Sequence, residues 1–237
     1  MRSQPQPQPQ PRPRAAVGWR VTGTHESRLE LALPCLLQTP RAPHGGRRPL
    51  IVFLHGVDER GDSTGTLDRL LVHSLPARAA AGDLPDVHGR PFPFIVASPQ
   101  TAGVWRDDAE RVGAVIDALV ADHGADRARV FVTGISLGSV GSWEVAARVP
   151  GIAAVVPVSW TIPDVAATVH VPAWVEVGAR DPYVDAVEVR RRLFATRPED
   201  ARTHLEVDPG GAHVGGYWDH VYRRVALYEW LLDRVPG

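Results

Sequence analysis

Short continuous apolar runs alternate along this chain with stretches in which apolar residues recur at helical spacing. Leu50-Ile51-Val52-Phe53-Leu54, Phe94 to Ala97, Val130 to Thr133 and Ile152 to Val158 are such runs, Ala173 to Val177 reads as a further buried strand and Thr203 to Val207 as the last strand. Uninterrupted runs of this length, closed by Gly, Pro or Ser, predict strands of a parallel sheet buried on both faces. Between them, helices are predicted over Leu67 to Ala81 with a break near Pro76, over Val140 to Val149 and over Val184 to Phe194. Another helix, capped by Asp107, carries Val112, Val115, Ile116, Leu119 and Val120 on one face. Asp219 to Arg234 reads as one closing amphipathic helix, and Val17 to Thr22 with Arg28 to Leu37 as a leading hairpin. Strands alternating with helices at this spacing imply an α/β fold: a mostly parallel central sheet with helices on both faces. No insertion is long enough for a large lid domain. The Pro/Gln/Arg repeat of residues 1–15 is expected to be a disordered or polyproline tail, leaving 16–237 as a single domain.

Composition removes several function classes. The net charge of −1 gives no reason to expect nucleic acid or an anionic membrane surface as a partner. All 26 basic residues are arginine, which excludes a Schiff-base lysine, a P-loop lysine and a Ser-Lys dyad. The single cysteine, Cys35, lies in an apolar run and is expected to be a buried small hydrophobe. No run of about 18 apolar residues predicts a membrane span. The N-terminus has no apolar segment of signal-peptide type, so the cytoplasm is the expected compartment. The histidines are scattered, with no H-x-x-x-H or C-x-x-C pattern, and no metal or cofactor is expected.

The strand Val130-Phe131-Val132 runs into Gly134-Ile135-Ser136-Leu137-Gly138 and then into a helix. This is G-x-S-x-G in the strand–turn–helix context that makes a nucleophile elbow. A serine needs a base, and the base needs an orienting acid; on such a sheet they follow the nucleophile in the order acid, then histidine, at strand ends. Trp174 to Gly178 is a strand that turns and ends at Asp181, the favoured acid; Asp185 belongs to the next helix and Glu176 lies inside the strand. Of the later histidines, His213 sits in a Gly-rich loop, framed by Gly210-Gly211 and Gly215-Gly216, which would let the imidazole swing to the serine. His220 is the competing base. The oxyanion hole is expected from the N–H groups of Leu137 and of Val57, in the loop after His55-Gly56, with His55 bracing that loop. Trp105, Trp160, Tyr183, Tyr217 and Trp218 fall in loops at the same edge and are candidates to line an apolar acyl or aryl pocket, whereas Trp143 is expected in the core.

These residues resemble a known group. Pro49 to Asp62, PLIVFLHGVDERGD, is similar to the strand and "HGxGERG" loop of small α/β-hydrolases of the carboxylesterase, dienelactone-hydrolase-like and predicted-peptidase group. Gly134 to Val149, GISLGSVGSWEVAARV, resembles their elbow and following helix, and the Pro99-Gln100, Trp174–Asp181, Ala212-His213 and Leu227–Leu232 segments fit too. The resemblance implies an α/β-hydrolase fold and an esterase-type serine hydrolase acting on a small-molecule ester, with Ser136, Asp181 and His213 carried over by position. Thioesterase or peptidase activity with the same triad, or a catalytically silent binding protein, are the alternatives. Three positions depart from the pattern: Asp58 replaces a loop glycine, Leu137 a methionine and Ser139 a glycine. A carboxylate at 58 would oppose an oxyanion unless it points away or pairs, for instance with Arg60.

Overall fold

A computed structural model describes residues 23–62, 66–160 and 166–234. The expected N-terminal tail and the Val17–Thr22 strand lie outside the described residues. Eight strands form one sheet: β1 (Thr24–Glu30), β2 (Pro34–Pro40), β3 (Arg48–Leu54), β4 (Ile95–Pro99), β5 (Ala125–Ile135), β6 (Ala154–Val158), β7 (Ala173–Gly178) and β8 (Thr203–Asp208). Their order is β1-β2-β4-β3-β5-β6-β7-β8. Only β1 with β2 and β2 with β4 pair antiparallel. All pairings from β4 to β8 are parallel.

Alternation along the strands explains the two-sided burial. Leu50, Val52 and Leu54 enter the core on one face, beneath α2 (Trp105–Asp122), α3 (Leu137–Arg148) and α4 (Ala186–Thr196). Ile51 and Phe53 enter the other, beneath α1 (Ser74–Ala81), α5 (Gly215–Val221) and α6 (Val225–Leu232). Both faces of the strand are therefore apolar, which is why the sequence shows a run instead of an alternation. Trp143 and Cys35 are both in the core, and burial pushes the Cys35 thiol up to about 12.

Element boundaries differ from the sequence reading where side chains override the apolar pattern. The leading hairpin pairs Thr24–Glu30 with Pro34–Pro40, so the chain reverses inside the run read as Arg28–Leu37. The break in the 67–81 helix precedes Pro76: a 3-10 turn, Leu67–Leu71, ends before Ser74, whose φ is 64° and whose N–H donates to Asp219. Pro76 then sits in the first turn of α1, where its missing N–H is harmless. The α2 helix starts at Trp105, placing Asp107 inside its first turn and not at the cap. The closing helix is two helices, interrupted at Tyr222-Arg223-Arg224.

Candidate active site

The candidate site is built at the carboxyl ends of five adjacent parallel strands. The elbow after β5 is the most constrained point. A Cβ on Gly134 would lie 2.3 Å from the Gly138 carbonyl oxygen, and one on Gly138 would lie 1.9 Å from that of Leu54. Both positions therefore require glycine. Between them Ser136 is held at φ 50°, ψ −115°, a conformation that a side chain rarely adopts. Its N–H donates to the Val158 carbonyl at 3.0 Å, locking the turn to β6. Leu137 is the first residue of α3, so its N–H has no intrahelical acceptor.

The structure brings Ser136, His213 and Asp181 into one hydrogen-bonded line. His213 Nε2 is 2.9 Å from Ser136 Oγ, and His213 Nδ1 is 2.8 Å from Asp181 Oδ2. An ionised carboxylate only accepts, so Nδ1 carries the proton and Nε2 accepts from the serine hydroxyl. The Tyr183 N–H donates to the other Asp181 oxygen at 2.9 Å and fixes the carboxylate. His220 lies away from the serine, exposed, with Nε2 3.8 Å from Asp208. Asp185 caps α4, accepting from the Val187 and Glu188 N–H groups.

Close packing accounts for one glycine of the loop that carries His213. A Cβ on Gly178 would meet the Gly211 carbonyl oxygen at 2.3 Å, and the Arg180 N–H donates to that same oxygen at 2.9 Å. The two loops cross backbone to backbone, and this crossing holds the acid and the histidine in register. Tyr217 lies on the same crossing, its ring atoms within 3 Å of where a Gly211 Cβ would be.

The loop after β3 is laced to the end of β4. His55 is fully buried; Nδ1 is 2.6 Å from the Gly56 carbonyl, and Nε2 accepts from the Thr101 N–H at 3.1 Å. Burial lowers the His55 pKa, against the smaller opposing effects of these hydrogen bonds and of Glu59, and keeps the ring neutral. The bond to Gly56 fixes the Gly56–Val57 peptide plane. In a trans peptide the Val57 N–H points opposite to that carbonyl, away from the buried ring. Gln100 adds a bond from Nε2 to the Glu59 carbonyl at 2.9 Å, and the Gly61 N–H donates to Thr101.

A cleft of about 560 Å³ opens over Ser136, lined by Gly56 to Glu59, Leu137, Trp160, Tyr183, His213 and Trp218. Trp160, Tyr183 and Trp218 each stand edge-to-face with the His213 ring, at 5.9, 5.0 and 5.2 Å between centroids. Trp105 and Tyr217, expected at the pocket, do not line it. Trp105 is buried where α2 meets α3, against Gly141, and its Nε1 donates to the His55 carbonyl at 3.0 Å. Tyr217 faces down onto Gly211 and is buried. Each lies in the first turn of a helix, Trp105 of α2 and Tyr217 of α5, and that turn packs inward.

Asp58 is exposed on the cleft wall, and no Asp58–Arg60 ion pair occurs among the described residues. The residue the sequence reading passed over is its neighbour. Glu59 is buried, with Oε1 2.7 Å from His73 Nε2 and Oε2 without a hydrogen-bond partner. Burial opposes its ionisation, but the hydrogen-bonded pairing with His73 outweighs it and holds Glu59 below the usual carboxylate range. Ser159 was likewise not anticipated. Held at φ 57°, it accepts from Trp218 Nε1 at 2.9 Å and fixes that ring over the cleft. No signal in a single sequence marks a serine for this task.

No cluster of three or more His, Cys, Asp or Glu side chains able to hold a metal occurs among the described residues. Nor is any described helix long and apolar enough to cross a membrane.

No protein-family model matches the chain, and no curated protein matches it by sequence. Solved structures do resemble it. A thermostable esterase aligns over 91% of this chain with a TM-score of 0.66 at 22% identity. The chain spans 63% of that esterase's length. A Thermus thermophilus protein aligns over 88% of this chain and 98% of its own, with a TM-score of 0.59 at 19% identity. The feruloyl esterase module of Clostridium thermocellum, solved with sinapinate, aligns over 86% of this chain and 87% of its own, with a TM-score of 0.62 at 13% identity. The fold is that of the α/β-hydrolases, with an eight-stranded, mostly parallel sheet.

Proposed function

We propose that this chain is a serine hydrolase that cleaves carboxylic esters of small molecules through an acyl-enzyme. The reading is carried by one observation: the line of hydrogen bonds from Ser136 Oγ through His213 to Asp181, at 2.9 and 2.8 Å. Two of the similar structures are described as esterases, which favours ester cleavage over the other acyl transfers open to such a site.

In the first half-reaction His213 Nε2 takes the Ser136 proton as Oγ attacks the ester carbonyl. The tetrahedral oxyanion is held by the N–H groups of Leu137 and Val57, where one such donor is typically worth about 3 kcal/mol. His213 then gives its proton to the leaving alkoxide. In the second half-reaction it activates water, which releases the acid and restores the serine. Asp181 keeps the proton on Nδ1 and stabilises the imidazolium. His55 is a positioning residue: its bond to the Gly56 carbonyl orients the Val57 N–H.

Labelling with a fluorophosphonate probe, followed by turnover of a chain-length series of 4-nitrophenyl esters, tests the reading. Labelling of wild type but not of Ser136→Ala is expected. Absence of labelling and of ester turnover would leave a silent binding protein. Faster turnover of matched thioesters or peptide amides would move the assignment to those classes.

A further inference from the structure

Val57, the proposed oxyanion donor, is 50% exposed, so burial of its own side chain does not fix its place. Asp58 beside it is exposed as well. The loop is held instead by the residues that flank these two. On one side His55 Nδ1 holds the Gly56 carbonyl. On the other Glu59 turns inward and is only 6% exposed. Its Oε2 lies against the Gly56 backbone: a Cβ at Gly56 would be 3.0 Å from that oxygen and 3.6 Å from Ser136 Cβ. The enclosed carboxylate thus backs the Gly56 Cα, one residue before the donor.

The other carboxylate oxygen ties Glu59 to a distant part of the chain. Oε1 is 2.7 Å from His73 Nε2. His73 is itself braced by the segment that follows His213. Its ring lies 5.0 Å from that of Trp218, and a Cβ at Gly215 would be 3.2 Å from His73 Cβ. Its Nδ1 is 2.9 Å from Ser74 Oγ, and the Ser74 N–H donates to Asp219 at 2.6 Å. Trp218 in turn stands edge-to-face with His213. The Glu59–His73 bond therefore joins the loop of the oxyanion donor to the segment beside the proposed base. Both side chains are largely buried, where loss of one partner costs far more than at the surface.

We infer that Glu59 and His73 are positioning residues for acyl transfer, their bond holding the Val57 N–H in register with Ser136 and His213. The inference rests on the ester-hydrolase reading and adds two residues to its machinery. An oxyanion donor is aimed at charge that develops in the transition state, so displacing it weakens the transition state more than the bound ester.

The test compares Glu59→Met, which fills the same space without an acceptor, with Glu59→Gln, which keeps an acceptor for His73. Steady-state kinetics on a preferred 4-nitrophenyl ester are paired with inhibition by an alkyl trifluoromethyl ketone. Ser136 Oγ bonds to the ketone carbon, its proton passes to His213, and the carbonyl oxygen becomes an oxyanion in the hole. Glu59→Met should lower kcat about ten- to a hundredfold, part of the loss of a whole donor, and change KM by less than about threefold. The ketone Ki should rise by the factor by which kcat/KM falls, and Glu59→Gln should regain most of the loss. Should Glu59→Met lack a urea unfolding transition, His73→Leu against His73→Gln makes the same comparison from the other partner. Wild-type kcat in a folded Glu59→Met protein overturns the inference and leaves the pair a matter of stability alone. A loss that falls on KM with the ketone Ki unchanged overturns it too, as do equal losses in Glu59→Met and Glu59→Gln. In each of these outcomes wild type still turns over ester and takes the fluorophosphonate label. Failure of both in wild type instead removes the hydrolase reading itself.

Discussion

Replacing Glu176 with glutamine should change how stability depends on pH. Glu176 is fully buried in the middle of β7. Its Oε1 accepts from Trp174 Nε1 at 2.7 Å, and Oε2 has no partner. Burial is the main reason its pKa rises from 4.5 to about 7; Trp174 and Arg224 act against the rise, and Glu206 and Asp208 add to it. Between these two values the folded chain keeps a proton that the unfolded chain has lost. Stability from this group is therefore complete below pH 4.5 and is lost as the pH rises through 7. At about 1.4 kcal/mol per pH unit the whole difference is about 3 kcal/mol. Glutamine has no proton to lose and can still accept from Trp174. Arg224 keeps Glu206 at 3.0 Å and Asp208 at 3.4 Å, so the substitution does not strand it. Urea unfolding of both proteins at pH 5 and pH 8, with equal slopes, measures the effect. The variant should gain about 2–3 kcal/mol on wild type between the two pH values. Parallel profiles, or a gain in the opposite direction, would refute the argument.

Further substitutions probe the site. His213→Ala should lower kcat by about three orders of magnitude or more while leaving the urea midpoint nearly unchanged; a larger loss for His220→Ala would reassign the base. Gly138→Ala would place a Cβ 1.9 Å from the Leu54 carbonyl oxygen, with no flexible side chain to yield, and should destabilise by about 4 kcal/mol or more on thermal unfolding. Ser159→Ala removes the acceptor of Trp218 Nε1 and should raise KM several-fold with a smaller effect on kcat, read from steady-state kinetics on a preferred ester.

The sheet is legible because the central parallel strands, β3 to β6, are buried on both sides and leave apolar runs. The strands from Leu50 to Val207 come out within one to three residues of their expected limits, except that β5 begins five residues early, at Ala125. The hairpin, the Asp107 cap and the closing helix differ from the sequence reading, whereas the break near Pro76 occurs, at Val72-His73. There the Ser74 N–H donates to Asp219, a contact distant in sequence that fixes where α1 begins and that no local pattern records. Trp105 and Tyr217 were placed at the pocket because position along the chain does not say which way a ring faces. Glu59 went unnoticed beside Asp58 because a carboxylate's burial is invisible in the sequence.

The sequence by itself singled out three candidate residues in order: a serine in a tight strand-to-helix turn, then an aspartate after a Gly turn, then a histidine in a Gly-rich loop. Those assignments follow from local geometry, since tight turns and strand ends tolerate few residue types. Tertiary structure alone decided what surrounds that line. It set which aromatics face the imidazole, that Gly178 and Gly211 cross in backbone contact, and that the Glu59 carboxylate is buried against Gly56. These depend on segments far apart in the chain meeting at one sheet edge, and only the packed core fixes where that meeting occurs.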